Sequence, residues 1–262
     1  NETRDQKDRI IASGNARFDL TSWLYFDAQA GTDWYTSRRR DLVPYGTASL
    51  FTGSLSEIEI RQREINAQLL IGANKTFGKF GIAAMAGGNR MRKSYETTGN
   101  TGQNFRVPYF HSLTNLTSIT PVFSQSQTGI NSLFGSAEVS FSNYFYLTMT
   151  GRNDWFSTLD RGINSVFYPG AGLSFVFSDA LKMPDWITFG KVRSSWAQVG
   201  GGGDIPYRTS LTYNLTAQDH MGATLGGIAQ SQVPNTKLQP LLLTEYEFGL
   251  DLRMFKNRVG LD

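Results

Sequence analysis

A two-residue periodicity is clearest near the end of the chain, between Leu243 and Phe255. Apolar side chains alternate there with polar ones along the strand. The apolar set is Tyr246, Phe248, Leu250, Leu252 and Met254, and the polar set is Glu245, Glu247, Asp251 and Arg253. Because successive side chains of an extended strand point to opposite faces, this pattern predicts a β-strand with one face suited to hydrocarbon and one suited to water.

The same alternation, interrupted by turn residues, predicts about ten strands along the chain. The predicted strands cover 9–19, 23–35, 56–76, 81–95, 132–141, 144–155, 165–177, 187–199, 243–255 and a last one after 258. The strand 56–76 changes phase: polar residues hold the odd positions up to Arg63, and apolar residues hold them from Ile65. Two explanations stay open, a β-bulge that resets the register or a first half that rises above a membrane.

The predicted connections alternate between short turns and long loops. A soluble sandwich has no reason to keep its long loops at one end, whereas an outer-membrane barrel has short periplasmic turns and long extracellular loops. The sequence therefore predicts an all-β fold, an antiparallel transmembrane β-barrel section. We expect lipid-facing side chains at Leu133, Ala137, Val139, Phe145, Leu147, Phe175, Phe248, Leu250 and Leu252, and lumen-facing ones at Gln29, Glu138, Thr148, Arg193, Glu247 and Asp251.

Composition narrows the function classes. The chain has no cysteine, which excludes a disulfide framework and a cysteine nucleophile, and its net charge is only +3. Its one short basic run, Arg38-Arg39-Arg40, does not suggest a nucleic-acid partner. No apolar stretch approaches the roughly 18 residues of a membrane helix, so strands must do any spanning. No cofactor is expected.

Three motifs resemble the SusC/RagA family of TonB-dependent outer-membrane transporters. They are the runs Thr150–Leu159 with Asn164–Pro169, Lys191–Gly200, and Leu238–Pro240 with Thr244–Asp251. The hairpin around Phe77-Gly78-Lys79 fits the same barrels, and one departure is Gly201, where the family usually has Asn. The resemblance spans most of the chain in the family's order.

The resemblance implies a section of about ten strands from a barrel of about twenty-two strands filled by a plug. Residues 1–262 would belong to one barrel domain, with the plug and the other strands absent from this segment. The implied function is TonB-dependent import of oligosaccharides or peptides across the bacterial outer membrane by a multi-pass protein. The implied partners are a SusD-like surface lipoprotein, TonB, outer-membrane lipid and lipopolysaccharide.

Candidate site residues lie on the lumen face and in the outer loops. Arg152 and Asp154 either contact a plug or substrate or form a cross-strand ion pair that shapes the wall. The remaining lumen candidates are Lys191, Arg193, Glu245 and Glu247. The loop aromatics Phe105, Tyr109, Phe110 and Tyr207 could stack on sugars or peptide side chains, or could pack loops together.

Two other functions share the strand pattern. A passive porin or adhesin barrel would have no plug, and a ten-stranded outer-membrane protease would need a catalytic group. Asp219-His220 is the one pair that suggests an acid and a base. Catalysis needs a base held rigidly against its nucleophile or water, and a pair in mid-loop has no such support. We therefore expect that the protein is not an enzyme.

The last strand is too short to close a small barrel. The first predicted strand has about eleven residues and the last about five, which at ~3.3 Å per residue reach roughly 17 Å. Pairing the two would leave backbone groups of the first strand unsatisfied in lipid, at several kcal/mol each. We therefore expect an open, curved sheet, without ladder hydrogen bonds between 10–18 and 258–262.

Overall fold

The computed structural model describes residues 1–201, 205–229, 231 and 233–262, without the side chains of 216–218. Within these residues the chain forms twelve strands, a 3-10 turn (Leu113–Asn115) and a short helix α1 (Phe177–Ala180). The strands are β1 (Glu2–Asp19), β2 (Leu24–Val43), β3 (Ser54–Phe77), β4 (Phe80–Phe105), β5 (Leu116–Phe141), β6 (Phe145–Phe156), β7 (Ser165–Val176), β8 (Ile187–Gly201), β9 (Tyr213–His220), β10 (Ala223–Ile228), β11 (Leu241–Met254) and β12 (Val259–Leu261).

Ten strands form one sheet in the order β1-β2-β3-β4-β5-β6-β7-β8-β11-β12, and β9 pairs with β10 in a separate two-stranded sheet. The printed ladders of the large sheet are antiparallel, as for β5 with β6 and β8 with β11. β1 and β12 stand at the two ends of the strand order, and no ladder joins them among the described residues. The predicted antiparallel barrel section, open between its first and last strands, is confirmed.

The chain divides into two compact units. Unit 1 contains 1–14, 30–66 and 91–129, and unit 2 contains 15–29, 67–90 and 130–262. Strand β3 passes from unit 1 to unit 2 after Asn66, close to the phase change between Arg63 and Ile65.

Cross-strand register in unit 2 sorts side chains into two faces. One row joins Val139, Leu147, Leu173, Ser194 and Phe248 across β5, β6, β7, β8 and β11. The second apolar row joins Phe141, Phe145, Phe175, Val192 and Leu250, and a polar row on the other side of the Val139 row joins Glu138, Thr148, Gly172, Ser195 and Glu247. We call these sides the apolar face and the polar face.

Side chains of the apolar face are not covered by protein. Phe248 is 79% exposed, Leu133 is 60% exposed and Met149 is 54% exposed. An apolar surface of this extent is unfavourable in water, so its natural surrounding is lipid. This exposure is the opposite of what a soluble sandwich requires, because a sandwich would bury the same residues between two sheets.

Aromatic side chains gather beside the short turns of unit 2. Phe80 packs against Phe141 with ring centroids 4.9 Å apart, Tyr144 meets Phe175 edge-on, and Trp186 stacks on Phe255. The β5–β6 turn places Ser142 and Asn143 at positive φ, and the β3–β4 turn does the same with Gly78. These tight turns bring neighbouring strands together in a belt typical of a membrane interface.

Several strands are longer than the alternation predicts. β3 has 24 residues and β4 and β5 have 26 each, whereas about ten residues cross a membrane. The predicted loop 96–131 is therefore mostly strand, and the predicted polar stretch after Tyr35 continues β2 to Val43. Hydrophobic alternation failed there because both faces of a strand outside the membrane are polar.

The predicted long loop 200–241 is not entirely loop, because it contains the hairpin β9–β10. The hairpin has an irregular register between Thr224 and Gly226, which breaks the periodicity that would mark a strand. Among the described residues no helix has the length and apolar character needed to cross a membrane.

An arginine scan of adjacent positions tests the two faces. In the full-length protein, Leu147→Arg places a charge on the apolar face and should destabilise the barrel by about 2–4 kcal/mol. Thr148→Arg places the same charge on the polar face, beside Glu138, and should change stability by less than about 1 kcal/mol. The measurement is denaturant unfolding in lipid vesicles, and equal effects at both positions would contradict the face assignment.

Candidate functional site

Arg152 and Asp154 lie together on the polar face of β6. Arg152 Nε donates to Asp154 Oδ1 at 2.8 Å, and Arg152 Nη2 donates to Ser132 Oγ at 2.8 Å. The ion pair therefore runs along β6, and the cross-strand contact goes to Ser132 of β5, not to a second charge. The Asp154 side chain is only 11% exposed, so the pair is a fixed part of the wall.

Tyr168 completes this corner of the wall. It lies opposite Arg152 across β6 and β7, and any side chain at Gly200 of β8 would overlap its ring. Its hydroxyl is buried without a hydrogen-bond partner among the described residues. Tyr168 thus covers the glycine and joins three strands around the Arg152–Asp154 pair.

The other charged candidates lie on β8 and β11, which are direct neighbours. Arg193 Nη2 lies 3.3 Å from Glu247 Oε1, and its side chain covers Gly249. Lys191 lies opposite Asp251, and Glu245 lies opposite Ala197. The Arg193–Glu247 pair is more than half exposed at both ends, so it contributes little to stability and leaves both charges accessible to a polar solute.

Two of the candidate loop aromatics are presented to solvent by one buried side chain. Asn115, 5% exposed, donates from Nδ2 to the carbonyl oxygens of Val107 and Phe110 at 2.7 Å and accepts from the Val107 amide. These three hydrogen bonds hold the loop between β4 and β5 in place. In this loop Tyr109 is 79% exposed and Phe110 is 56% exposed.

Phe105 does not belong to this exposed set. It is the last residue of β4, is 4% exposed, and packs with Leu42, Leu55 and Leu116. The prediction that Phe105 is a loop aromatic available to a ligand is wrong, because the ring is part of the small core that anchors the loops. Phe105 instead has the alternative role, in which the aromatic side chain packs loops together.

The remaining loop candidates stay separate. Tyr207 is 57% exposed and lies in the connection between β8 and β9. Asp219 and His220 end β9 at the tip of its hairpin, where both are exposed. This exposure does not favour a base held rigidly in place. No group of three or more His, Cys, Asp or Glu side chains suited to a metal occurs in the described part of the chain.

An ion-pair ladder in unit 1 was not predicted. Arg38 Nε lies 3.0 Å from Glu59 Oε2 and Arg38 Nη1 3.7 Å from Asp8, while Arg61 contacts both Glu59 and Glu96. The ladder crosses β1, β2, β3 and β4. Hydrogen bonds from Arg38 and then Arg61 lower the pKa of the Glu59 carboxyl, and hydrogen bonds from Arg39 and Thr3 do the same for the pKa of Asp41.

Two residues that matter for the loops escaped the sequence reasoning. Arg40 Nη2 donates to the His111 carbonyl at 3.0 Å, so a strand of the sheet holds the β4–β5 loop from the side while Asn115 holds it from within. An isolated asparagine and one arginine of a basic run carry no local signal of these roles, because their partners are many residues away.

Removal of the Asp154 charge separates the two explanations for the pair. Asp154→Asn should destabilise the full-length protein by about 1–3 kcal/mol, because it leaves the Arg152 guanidinium without its carboxylate. Asn153→Ala, on the opposite face, is the matched control and should cost less than about 1 kcal/mol. Unfolding and solute uptake are measured together. Unchanged stability with lost uptake would favour the substrate-contact alternative.

Acid should weaken the extended part of unit 1. The carboxyl pKa of Asp41 and Glu59 is lowered in the folded chain, so their stabilisation is present above the ordinary values of 3.8 and 4.5 and is lost as the pH falls through the lowered values. Protease cleavage between 35 and 65 should therefore rise on acidification below about pH 4. Glu59→Gln should flatten this response, and an unaltered pH profile in that variant would contradict the assignment.

Comparisons with known proteins agree with the β-barrel fold of the structure. The family model described as "TonB dependent receptor-like, beta-barrel" matches residues 1–262. TonB-dependent receptor P3 of Formosa agariphila is 22% identical over 193 residues, which cover 72% of this chain and 19% of that protein. TonB-dependent receptor P26 of the same organism is 27% identical over 159 residues, 57% of this chain and 16% of that protein. The matched part of the chain thus spans less than a fifth of the length of each of these relatives.

Solved structures show the same fold. The RagAB peptide transporter superposes with a TM-score of 0.88 at 18% identity, covering 99% of this chain and 29% of that chain. The siderophore receptor PiuA of Acinetobacter baumannii superposes less closely, with a TM-score of 0.56 at 11% identity, covering 98% and 39%.

The family is one of receptors and transporters, not of enzymes, and it implies an outer-membrane location. The recognition drawn from the sequence motifs is confirmed. The family match over residues 1–262 agrees with the antiparallel sheet and its two distinct faces. The chain belongs to the TonB-dependent receptor-like β-barrel family.

Proposed function

We propose that residues 1–262 form part of the barrel wall of a SusC-like importer, which takes up oligosaccharides or peptides across the outer membrane at the expense of TonB-coupled energy. One observation carries the proposal. The strands that match the family throughout have register-aligned apolar rows exposed on one face and polar rows on the other, as a lipid-embedded wall around a wet lumen requires.

Fixed polar groups of the wall suit passage of a hydrophilic solute. Arg152–Asp154 and Arg193–Glu247 present both signs of charge on the polar face. Paired charges keep the wall wet without a strong net field that would retain a charged solute. Neither pair selects one substrate, and a wall of this kind is compatible with glycans and with peptides.

Exposed aromatic side chains of the loops supply the first contact with the solute. Tyr109, Phe110 and Tyr207 present flat apolar faces with polar edges that can stack on sugar rings or on peptide side chains. The likeness in fold to the RagAB peptide transporter supports a large organic solute of this kind. Phe105 is excluded from the contact set by its burial.

The proposal extends to partners and to the rest of the receptor. Residues 1–262 are one section of a single multi-pass barrel domain, which other strands and a plug domain complete. A SusD-like surface lipoprotein covers the outer opening, TonB acts on the plug from the periplasm, and lipid and lipopolysaccharide surround the apolar face. The likeness to one chain of RagAB, a two-component transporter by its name, supports the lipoprotein partner.

Energy dependence separates an importer from a passive barrel. Cells that express the full-length receptor should accumulate labelled oligosaccharides or peptides, and accumulation should fall to background after deletion of tonB or addition of a protonophore. Tyr109→Ala combined with Phe110→Ala should lower uptake at limiting solute, because stacking of about 1 kcal/mol or more is lost. Trp186→Phe, on the far side by the short turns, is the control. Uptake that survives the protonophore would instead favour a porin.

A further inference from the structure

A small cleft of unit 1 is lined by uncharged hydroxyl and amide side chains. It has a volume of about 350 Å³ and lies where the beginning of β3, the end of β4 and the beginning of β5 run side by side. Leu55 and Gly102 contribute to it, and the other lining residues are Ser54, Ser56, Thr101, Gln103, Ser118 and Thr120. Among the described residues no acidic or basic side chain lines this cleft.

The six polar side chains have unused hydrogen-bonding capacity. None of them forms a side-chain hydrogen bond with another residue in the described part of the chain. Just outside the cleft the situation differs, because the Thr52 hydroxyl donates to Asn104 Oδ1 at 2.5 Å. A hydroxyl group has one donor and two acceptor sites, and the glutamine amide has both kinds as well. The cleft therefore offers donors and acceptors to a ligand without any formal charge.

Strand alternation places the cleft on the face opposite the exposed apolar side chains. Leu69 in β3, Ile82 in β4 and Leu133 in β5 are exposed apolar residues of the same three strands. Each is separated from the cleft residues of its own strand by an odd number of positions. Because successive side chains point to opposite faces, an odd separation puts two residues on different faces. If the apolar face meets lipid, the cleft faces the lumen.

The alternation holds because neighbouring strands stay in step along their length. For β4 and β5 the contacts in step are Phe80 with Phe141, Arg92 with Gly129, and Gly102 with Ile119. For β2 and β3 they are Arg38 with Glu59 and Tyr25 with Gly72. A bulge between Arg63 and Ile65 would offset the last two contacts by one residue. The phase change of β3 is therefore a change in the surroundings of one face and not a change of face.

A buried core supports the cleft from behind. Leu55 lies between two cleft serines in β3, is 1% exposed, and packs with Leu42, Phe105 and Leu116. These four side chains belong to β2, β3, β4 and β5, so they fix the strand ends that form the cleft. A ligand would then meet side chains already held on a rigid backbone, which lowers the entropy cost of binding.

We propose that this cleft is a sugar-binding subsite in the lumen wall and that the imported solute is a neutral oligosaccharide, not a peptide. The inference rests on the proposed importer function and decides between the two solute classes left open there. Neutral sugar units present hydroxyl donors and acceptors side by side, as the lining does. A peptide brings charged termini and charged side chains, and desolvating them in a cleft without opposite charges is unfavourable.

The neighbouring loop adds the second element that a sugar ring needs. Tyr109 and Phe110 are exposed in the connection between β4 and β5, a few residues along the chain from Gln103 and Ser118. A sugar ring has an apolar C–H face and a hydroxyl rim. Aromatic rings suit the face and an uncharged hydroxyl lining suits the rim.

Ligand binding by the purified full-length receptor tests the subsite. The probes are short neutral oligosaccharides from glucan, mannan, xylan and fructan, acidic oligogalacturonate, and a mixture of peptides of similar mass, with bound mass read by native mass spectrometry. At least one neutral oligosaccharide should bind, and it should bind more tightly than the acidic sugar or any peptide. Its affinity should not change with added salt, because no charged pair holds it.

A pair of isosteric changes then locates the binding. Thr101→Val combined with Thr120→Val removes two hydroxyl groups from the cleft and should weaken binding of that oligosaccharide about tenfold or more. Thr98→Val is the matched control, because Thr98 lies in the same strand as Thr101 and on its other face. The control should bind the oligosaccharide as wild type does, and thermal unfolding of each variant is recorded beside the binding.

The proposal is overturned if no neutral oligosaccharide binds, if peptides bind as tightly, if the double variant binds as wild type, or if the control loses as much. Uptake by the same cells separates this inference from the proposed function. TonB-dependent accumulation of peptides, unaffected by the double variant, would refute the sugar subsite and leave the importer. Oligosaccharide binding that depends on the two threonines, with uptake that survives a protonophore, would keep the subsite and count against the proposed function.

Discussion

Backbone hydrogen bonding in hydrocarbon is the constraint on which the rest of the structure depends. An unpaired N–H or C=O group in lipid costs several kcal/mol, so every spanning strand must pair with neighbours along its length. The continuous register from β5 through β8 to β11 meets this requirement. Once the register is set, the row of Leu147 lies on one face and the row of Thr148 on the other. No side chain can change faces without a shift of the register.

Beyond the level of the membrane the same strands continue under different rules. Water can satisfy the backbone there, and hydrophobic burial is small, so cross-strand charge pairs such as Arg38–Glu59 and Arg40–Glu57 accompany the ladder. Each pair is exposed and contributes little by itself. Their common effect is alignment, because a one-residue slip of β2 against β3 would move the arginines to the other face.

The barrel wall and the loops hold their candidate side chains by different contacts. The wall presents paired charges at fixed positions, and the loops present aromatics on short buried anchors such as Asn115.

The sequence by itself determined the strand identities in the membrane, the faces of residues such as Leu147 and Thr148, and the family. These depend on local alternation, which two or three consecutive residues already express. Only the tertiary structure decided how far the strands extend, that Arg152 reaches Ser132, that Phe105 is buried and that Asn115 holds its loop. Those outcomes depend on which residue, distant in sequence, the register places opposite each side chain. A local sequence pattern contains no information about that partner.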